Sequence, residues 1–228
     1  MLSHQEDDLL CNEDRGIFVV ADGFGGVEAG AAASRVSCES VKSFLEKEAG
    51  DLEATLPFVI RQYFSLAGNV LFNALVHANR KVLSLNKGKN MNERGGAAAV
   101  AAFLDGDFLA LANAGNCSAS LFRGSRRVEL VKPRCYSSLI EPFGESSARA
   151  PLMALGVYSD LEPEIVEVKV KSGDFLLLHT DGLSTIQLEE ITRLVSAIDS
   201  PHSIDATLKG YFESNTFSEN VAVVGVLF

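Results

Sequence analysis

The chain has 228 residues, 47% of them hydrophobic, and its 30 acidic and 20 basic side chains give a formal net charge of −10. This length predicts one domain spanning residues 1–228, with a core large enough to fold without disulfides. The negative charge argues against a nucleic-acid partner, since such proteins bind phosphates with Lys and Arg. Apolar runs too short for a bilayer and an acidic first segment exclude a membrane span or secretory signal, so we expect a cytoplasmic protein.

The first half of the chain predicts one buried strand followed by two helices. The strand is Ile17–Ala21, an apolar run that ends at Asp22-Gly23. The helices show apolar residues at three- and four-residue spacing, which is typical of one buried face. They run over Glu28–Glu48, and from near Thr55, with Pro57 in the first turn, to about Leu85.

The pattern then changes to alternation, which predicts strands. Asp105-Gly106 and Gly124-Ser125 each stand between two such runs and predict hairpins. The paired strands are Ala98–Leu104 with Phe108–Ala114, and Ser118–Phe122 with Val128–Val131.

The last third predicts three more strands and two helices. Residues 132–163 contain several Pro and Gly residues and are predicted to be mostly loop. The strands are Val166–Val170, Phe175–Thr180 and Val221–Phe228, and the helices are Gln187–Ile198 and Ser203–Phe212. The whole order predicts an α+β fold of antiparallel sheets covered by helices.

Carboxylates stand at the ends of three predicted strands, at Asp22-Gly23, Asp181-Gly182 and Glu219-Asn220. A packed sheet can bring such ends to one point, and Glu13 and Asp14, before the first strand, could join them. Converging carboxylates repel one another unless a cation neutralises them. Oxygen ligands without Cys or paired His favour Mg²⁺ or Mn²⁺. Taken alone, Asp22-Gly23 is more typical of an ordinary acidic loop followed by a glycine-rich turn, and the other two strand ends reverse that interpretation.

Together these motifs resemble the metal-dependent protein phosphatase family, type 2C, in its bacterial branch. Asn12-Glu13-Asp14 followed by an apolar strand and Ala21-Asp22-Gly23-Phe24-Gly25-Gly26 is similar to the family's first motif. Gly173–Leu183 is similar to a second motif, and Glu219-Asn220-Val221 to the last. In order and spacing the match covers nearly the full chain.

The resemblance implies a central antiparallel β-sandwich flanked by helix pairs on both faces, a four-layer αββα arrangement. It implies hydrolysis of phosphoserine and phosphothreonine on proteins by a water that bridges two Mg²⁺ or Mn²⁺ ions. The implied partner is a phosphorylated protein of a Ser/Thr kinase pathway, and we expect a monomer.

The resemblance also implies roles for particular residues. Asp22 would bridge both ions, and the Gly23 carbonyl would bind one of them. The remaining ligands would be Asp181 and Glu219 on one ion, and Glu13 and Asp14 on the other. Asn116 and Asn220 would support this site or contribute to a weak third metal site.

Several positions depart from the family pattern. Residues 1–11 lack the arginine that binds substrate phosphate, and Arg15 and Arg94 are the nearest candidates in sequence, so the phosphate-binding group stays unassigned. Asn116 replaces an aspartate, so we expect the third metal to bind weakly or not at all, and Glu219 is one methylene longer than the usual aspartate. These changes leave an alternative open: a weak or inactive pseudophosphatase that acts as a regulatory protein-binding module.

Two further features have two interpretations each. His179 lies two residues before Asp181, and fits either a hydrogen-bonded core histidine or a proton-transfer group. A group of basic residues fits either a solvated hairpin or a docking surface for an acidic or phosphorylated partner. Its members are Arg123, Arg126, Arg127, Lys132 and Arg134.

Overall fold

The computed structural model describes residues 5–48, 60–135, 150–198 and 203–228. Within these ranges the strands form two antiparallel sheets, one in the order β1-β2-β3-β4-β7 and the other in the order β6-β5-β8-β9. The strands are β1 Asp8–Asn12, β2 Ile17–Phe24, β3 Gly96–Asp105, β4 Phe108–Ala114, β5 Ser118–Arg123, β6 Arg126–Val131, β7 Glu164–Lys169, β8 Asp174–His179 and β9 Val223–Leu227. The helices are α1 Val27–Glu48, α2 Leu66–Leu85, α3 Thr185–Ser196 and α4 Ile204–Ser214.

Three apolar clusters separate four layers. Successive residues of a strand point to opposite faces, so on β2 Val19 packs against α1 and α2 while Val20 packs between the two sheets. On β8, Leu178 belongs to the layer between the sheets, whereas Leu177 packs beneath α3 and α4. The predicted β-sandwich with a helix pair on each face is therefore confirmed.

Most of the predicted elements are present within a few residues of their expected bounds. The prediction was wrong for the start of α2, because residues 60–65 are not helical and the Ser65 hydroxyl caps the helix by accepting a hydrogen bond from Gly68 N at 3.0 Å. Thr55 and Pro57 lie outside the described residues. The short edge strand β1, whose side chains alternate between half-buried and exposed, was not predicted from the sequence.

Close backbone contacts attach the end of β2 to α1 and to the residues before β1. A Cβ added to Gly23 would lie 2.2 Å from the Gly30 carbonyl oxygen and 2.5 Å from that of Glu6, so only glycine fits there. The Ser34 hydroxyl, on α1, donates to the Glu6 carbonyl oxygen at 2.5 Å. These contacts fix the chain on both sides of Asp22.

None of the helices that the structure describes is long and apolar enough to cross a membrane. Cys11 is exposed, and the other three cysteines, Cys38, Cys117 and Cys135, are buried as free thiols. The fold is therefore held by its apolar clusters rather than by disulfides.

Candidate metal centre

Asp22 lies near the end of β2, where the strand leaves the buried core. It stands opposite Ala98 on β3, and in the neighbouring β1 ladder Asp8 stands opposite Ala21. Continuing that register places Asp7 beside Asp22, and the two carboxyl groups are hydrogen-bonded to each other. A second hydrogen bond joins Asp22 to Asp181, so three carboxyl groups meet at this edge of the sandwich.

Asp7 is held by the second sheet. The Thr180 hydroxyl donates to Asp7 Oδ2 at 2.7 Å and accepts a hydrogen bond from the Ala222 backbone N–H at 2.9 Å. Asp7 is only 8% exposed, and this burial raises the pKa of its carboxyl, an effect that the Thr180 hydrogen bond partly offsets. One hydroxyl thus connects the start of β1 to the ends of β8 and β9.

Asp181 follows β8 and is half-buried. The Asn116 side chain donates from Nδ2 to Asp181 Oδ2 at 2.6 Å, which sets the orientation of this carboxylate. The next residue, Gly182, packs against the backbone of Asn220, since a Cβ added to Gly182 would lie 2.0 Å from the Asn220 carbonyl oxygen. The two strand ends are therefore in direct contact. Glu219 is exposed, and its charge contributes to the raised pKa of Asp7.

The electrostatics of this cluster favour a proton or a cation. Burial, followed by the charges of Asp181 and Asp7, raises the pKa of Asp22 to about 8. The fully buried Cys117 thiol lies in the same environment, and its pKa is raised well above the ordinary value by burial and by Asp22 and Asp181. Such a group of buried acids is unfavourable when ionised unless a positive charge joins it.

The structure does not bring Glu13 and Asp14 to this cluster. They lie in the 3-10 turn Glu13–Arg15 between β1 and β2, exposed to solvent at the opposite end of β2. Ile17 and Asp22 are five positions apart, a distance of roughly 17 Å along a strand. The acidic side chain that lies beside Asp22 is instead Asp7, within Gln5-Glu6-Asp7. The sequence does contain a signal for Asp7, because an acidic run precedes the alternating segment that forms β1. That signal points to Asp22 only once the pairing of β1 with β2 is known.

The donor atoms suit a hard divalent cation. Asp7, Asp22 and Asp181 offer carboxylate oxygens and Gly23 a backbone carbonyl, which are ligands that Mg²⁺ and Mn²⁺ prefer. Among the described residues, no three His, Cys, Asp or Glu side chains already have the spacing of a metal-binding group, and the three carboxyl groups here form hydrogen bonds with one another instead. The chemistry of the donor set therefore fits, and the cation that would bind it is also the species that would relieve the repulsion at Asp22.

Comparison with known proteins gives matches at the level of structure. No protein-family model and no curated protein matches the chain. The serine/threonine phosphatase Stp1 from Staphylococcus aureus matches with a TM-score of 0.77 and 20% identity over 99% of this chain and 90% of Stp1. The PPM Ser-Thr phosphatase MsPP from Mycobacterium smegmatis, in complex with cacodylate, matches with a TM-score of 0.74 and 18% identity, covering 100% of this chain and 94% of MsPP. The catalytic domain of the phosphatase PstP, in complex with two manganese ions, matches with a TM-score of 0.72 and 20% identity, covering 99% of this chain and 92% of that domain.

The chain has the fold of the PPM-type serine/threonine phosphatases. In this fold the acidic cluster lies at one edge of the sandwich, beside the ends of β2 and β8 and the residues before β9. At these identities the likeness concerns the fold, so the chemistry of the site depends on this chain's own residues.

Three other candidates for roles in this PPM fold have distinct environments. Arg15 lies in the turn with Glu13, at the end of β2 that is far from Asp22. Arg94 donates from Nε to the Lys89 carbonyl oxygen at 3.1 Å, which holds its guanidinium in its own loop. His179 is 4% exposed with Nδ1 2.8 Å from the Thr180 carbonyl oxygen, and burial lowers its pKa, which favours the interpretation as a core histidine.

Proposed function

We propose that this protein is a metal-dependent phosphatase that hydrolyses phosphoserine and phosphothreonine on proteins. The observation that carries the proposal is the hydrogen-bonded set of Asp7, Asp22 and Asp181 at the edge where the two sheets meet. A phosphatase of this type needs a cation site open to solvent on one side, and Asp22 and Asp181 are both partly exposed. The PPM-type fold supports the same reaction class.

The ligands that we assign are Asp22, the Gly23 carbonyl, Asp7, Asp181 and Glu219, for two Mn²⁺ or Mg²⁺ ions. Asp7 takes the place that Glu13 and Asp14 have in the sequence-based hypothesis. When bound, these ions would supply positive charge to the phosphate oxygens and lower the pKa of an attacking water. Two manganese ions in the PstP catalytic domain support the number of ions.

The surrounding residues of this chain hold the ligands in place. Thr180 fixes one oxygen of Asp7, and Asn116 fixes one oxygen of Asp181. Such outer hydrogen bonds orient metal ligands and commonly contribute tenfold to a hundredfold to metal affinity. We assign Asn116 and Asn220 to this supporting role, since a neutral amide attracts a third cation less than a carboxylate does.

The proposed substrate is a phosphorylated protein of a Ser/Thr kinase pathway, and we place the protein in the cytoplasm as a monomer with one domain. The alternative is an inactive regulatory binding module. One observation favours it: Glu219, a proposed ligand, is more exposed to solvent than Asp7, Asp22 or Asp181. One experiment separates the two functions.

That experiment combines Mn²⁺ titration calorimetry with hydrolysis of p-nitrophenyl phosphate and a phosphothreonine peptide. We expect about two Mn²⁺ per chain and Mn²⁺-dependent release of phosphate, both lost in Asp181→Asn. Asp107→Asn is the matched control, because Asp107 only forms an exposed ion pair with Lys169 at 3.3 Å. Mn²⁺ binding without turnover, or neither of them, would support the binding module.

A further inference from the structure

A positive side chain beside the proposed ions would strengthen the binding of a substrate phosphate at this site. The charged residues that meet there, Asp7, Asp22, Asp181 and Glu219, are all acidic, whereas a phosphate monoester carries up to two negative charges. A guanidinium binds two phosphate oxygens at once in a planar fork, which makes arginine the best-suited residue for this task.

Arg134 is an arginine whose backbone the structure fixes beside the cluster. Its N–H donates to the Gly115 carbonyl oxygen at 2.9 Å, and its own carbonyl oxygen accepts from Leu152 N at 3.0 Å. These two hydrogen bonds anchor the residue on both sides. The side chain of Arg134 is exposed to solvent.

The turn that anchors Arg134 is itself part of the site. Gly115 has φ +121° and approaches Ala98 so closely that an added Cβ would lie 2.5 Å from the Ala98 Cβ. Ala98 is the cross-strand neighbour of Asp22, and Asn116, the residue after Gly115, donates to Asp181. The anchor of Arg134 therefore lies one strand from Asp22 and one residue from the partner of Asp181.

Other arginines of the same basic stretch are engaged elsewhere. Arg123 donates from Nη2 to Asp174 Oδ2 at 2.6 Å, and Arg127 donates from Nη1 to the Thr192 hydroxyl at 3.4 Å. Arg126 stands opposite Arg123 beside the hairpin turn, at the other end of β6 from the 132–134 segment. The basic stretch is thus not one surface, because its members point to different environments.

We infer that Arg134 binds the phosphoryl oxygens of the substrate. This inference rests on the proposed phosphatase function. It assigns the positive side chain that binds the substrate phosphate to the segment after β6.

The test measures binding and turnover separately. The binding probe is a fluorescent peptide with a non-hydrolysable phosphonate in place of phosphothreonine, titrated by anisotropy against Mn²⁺-loaded protein. We expect Arg134→Ala to weaken this binding about tenfold to a hundredfold, the range for a lost charged hydrogen-bonded pair. The same variant should raise the KM for the phosphothreonine peptide and the inhibition constant of inorganic phosphate, with unchanged Mn²⁺ affinity and Tm.

Matched variants complete the design. Arg134→Lys keeps the charge but not the fork and should recover part of the affinity, whereas Arg126→Ala should behave as wild type. Equal phosphonate affinity in Arg134→Ala and wild type would overturn the inference. A loss of Tm or Mn²⁺ affinity in Arg134→Ala, with the same phosphonate affinity per folded protein, would also overturn it by assigning a structural role. If wild-type protein binds Mn²⁺ but releases no phosphate, the proposed function fails, and the phosphonate titration still decides the role of Arg134.

Discussion

The two ends of strand β2 carry similar acidic residues in opposite environments. At one end, Glu13 and Asp14 lie in an exposed turn, where water solvates each carboxylate. At the other end, Asp22 is enclosed by Asp7, Asp181 and the buried thiol of Cys117, and its pKa rises to about 8. Composition alone does not distinguish the two ends.

The difference between the two ends comes from strand pairing. An acidic side chain becomes chemically unusual only when the sheet removes it from water and places like charges beside it. For Asp22 this requires β1 on one side, β3 on the other and the end of β8 across the sandwich. The exposed turn has none of these neighbours, and so we assign it no part in the metal site.

The largest expected effect separates the two ends directly. Asp22→Asn removes a charge that the proposed ions need, so we expect Mn²⁺ affinity and Mn²⁺-dependent hydrolysis to fall by about a hundredfold or more. The double variant Glu13→Gln/Asp14→Asn should retain both within about twofold. Calorimetry and initial rates with p-nitrophenyl phosphate measure these effects. Loss of activity in the double variant with intact Asp22 would contradict the assignment of the site.

The second prediction concerns stability as a function of pH. In metal-free protein, the folded state keeps a proton on Asp22 that the unfolded chain releases near pH 4, because the folded pKa is raised to about 8. Stability is therefore greatest below the unfolded pKa and falls as pH rises towards 8, by at most about 1.4 kcal/mol per pH unit for one proton. Chemical denaturation in EDTA from pH 5 to 9 measures this slope.

Two variants and the addition of Mn²⁺ test whether Asp22 causes this pH dependence of stability. Asp22→Asn should flatten much of the slope and raise the stability of metal-free protein at pH 8, while Glu13→Gln should leave the slope unchanged. Mn²⁺ should stabilise the wild type more as pH rises, because deprotonated carboxylates bind it better. A metal-free stability that increases between pH 5 and 8 would show that the Asp22 cluster is not protonated as proposed.

The third prediction compares single hydrogen bonds at the two ends. Thr180→Val removes the hydroxyl that donates to Asp7 and leaves the buried Ala222 N–H without this acceptor, which should cost about 1–3 kcal/mol. Asn12→Ala removes the exposed hydrogen bond from Asn12 Nδ2 to Glu46 Oε1, and should change stability by less than about 0.5 kcal/mol. Urea unfolding measures the free energy of unfolding of both variants. Equal losses of stability in Thr180→Val and Asn12→Ala would contradict the prediction.

The smallest expected effect is on thiol reactivity. Exposed Cys11 should react first with a disulfide reagent, while buried Cys117 should react only on unfolding. Burial and the negative charge of Glu13 raise the pKa of the Cys11 thiol, so Glu13→Gln should speed its labelling by less than about threefold. Cys11→Ser identifies the rapid phase. If that phase persists in Cys11→Ser, another thiol is accessible and the assignment is wrong.

Much of the fold followed from local patterns in the sequence. Apolar runs bounded by turn residues predicted β2 and β8, and helical spacing predicted α1, because these signals lie within a few consecutive residues. The same patterns indicated Asp22 and Asp181 as strand-end carboxylates. The start of α2 was not predicted correctly from the sequence, because the cap at Ser65 depends on a hydroxyl contact rather than on apolar spacing.

The rest of the site depends on contacts between distant segments. Asp7 belongs to the cluster because β1 pairs with β2 and because Thr180 reaches it from the second sheet. The local sequence pattern instead predicted Glu13 and Asp14, which are closer to Asp22 in sequence but separated from it by the length of β2. We place Arg134 at the site because its backbone N–H donates to the Gly115 carbonyl oxygen, a contact that no residue pattern in the sequence indicates.

The hydrogen bond from Thr180 to Asp7 spans 173 positions of the chain, and Ala222 completes it from still further along. Contacts between such distant segments form late, because the intervening chain must first be ordered. During synthesis, β1 to β4 can therefore pair while Asp7 still lacks its hydroxyl donor. We expect a ribosome-tethered chain truncated before Ala222 to be resistant to protease in its first sheet yet unable to bind Mn²⁺, so that metal binding begins only after Ala222 has been synthesised.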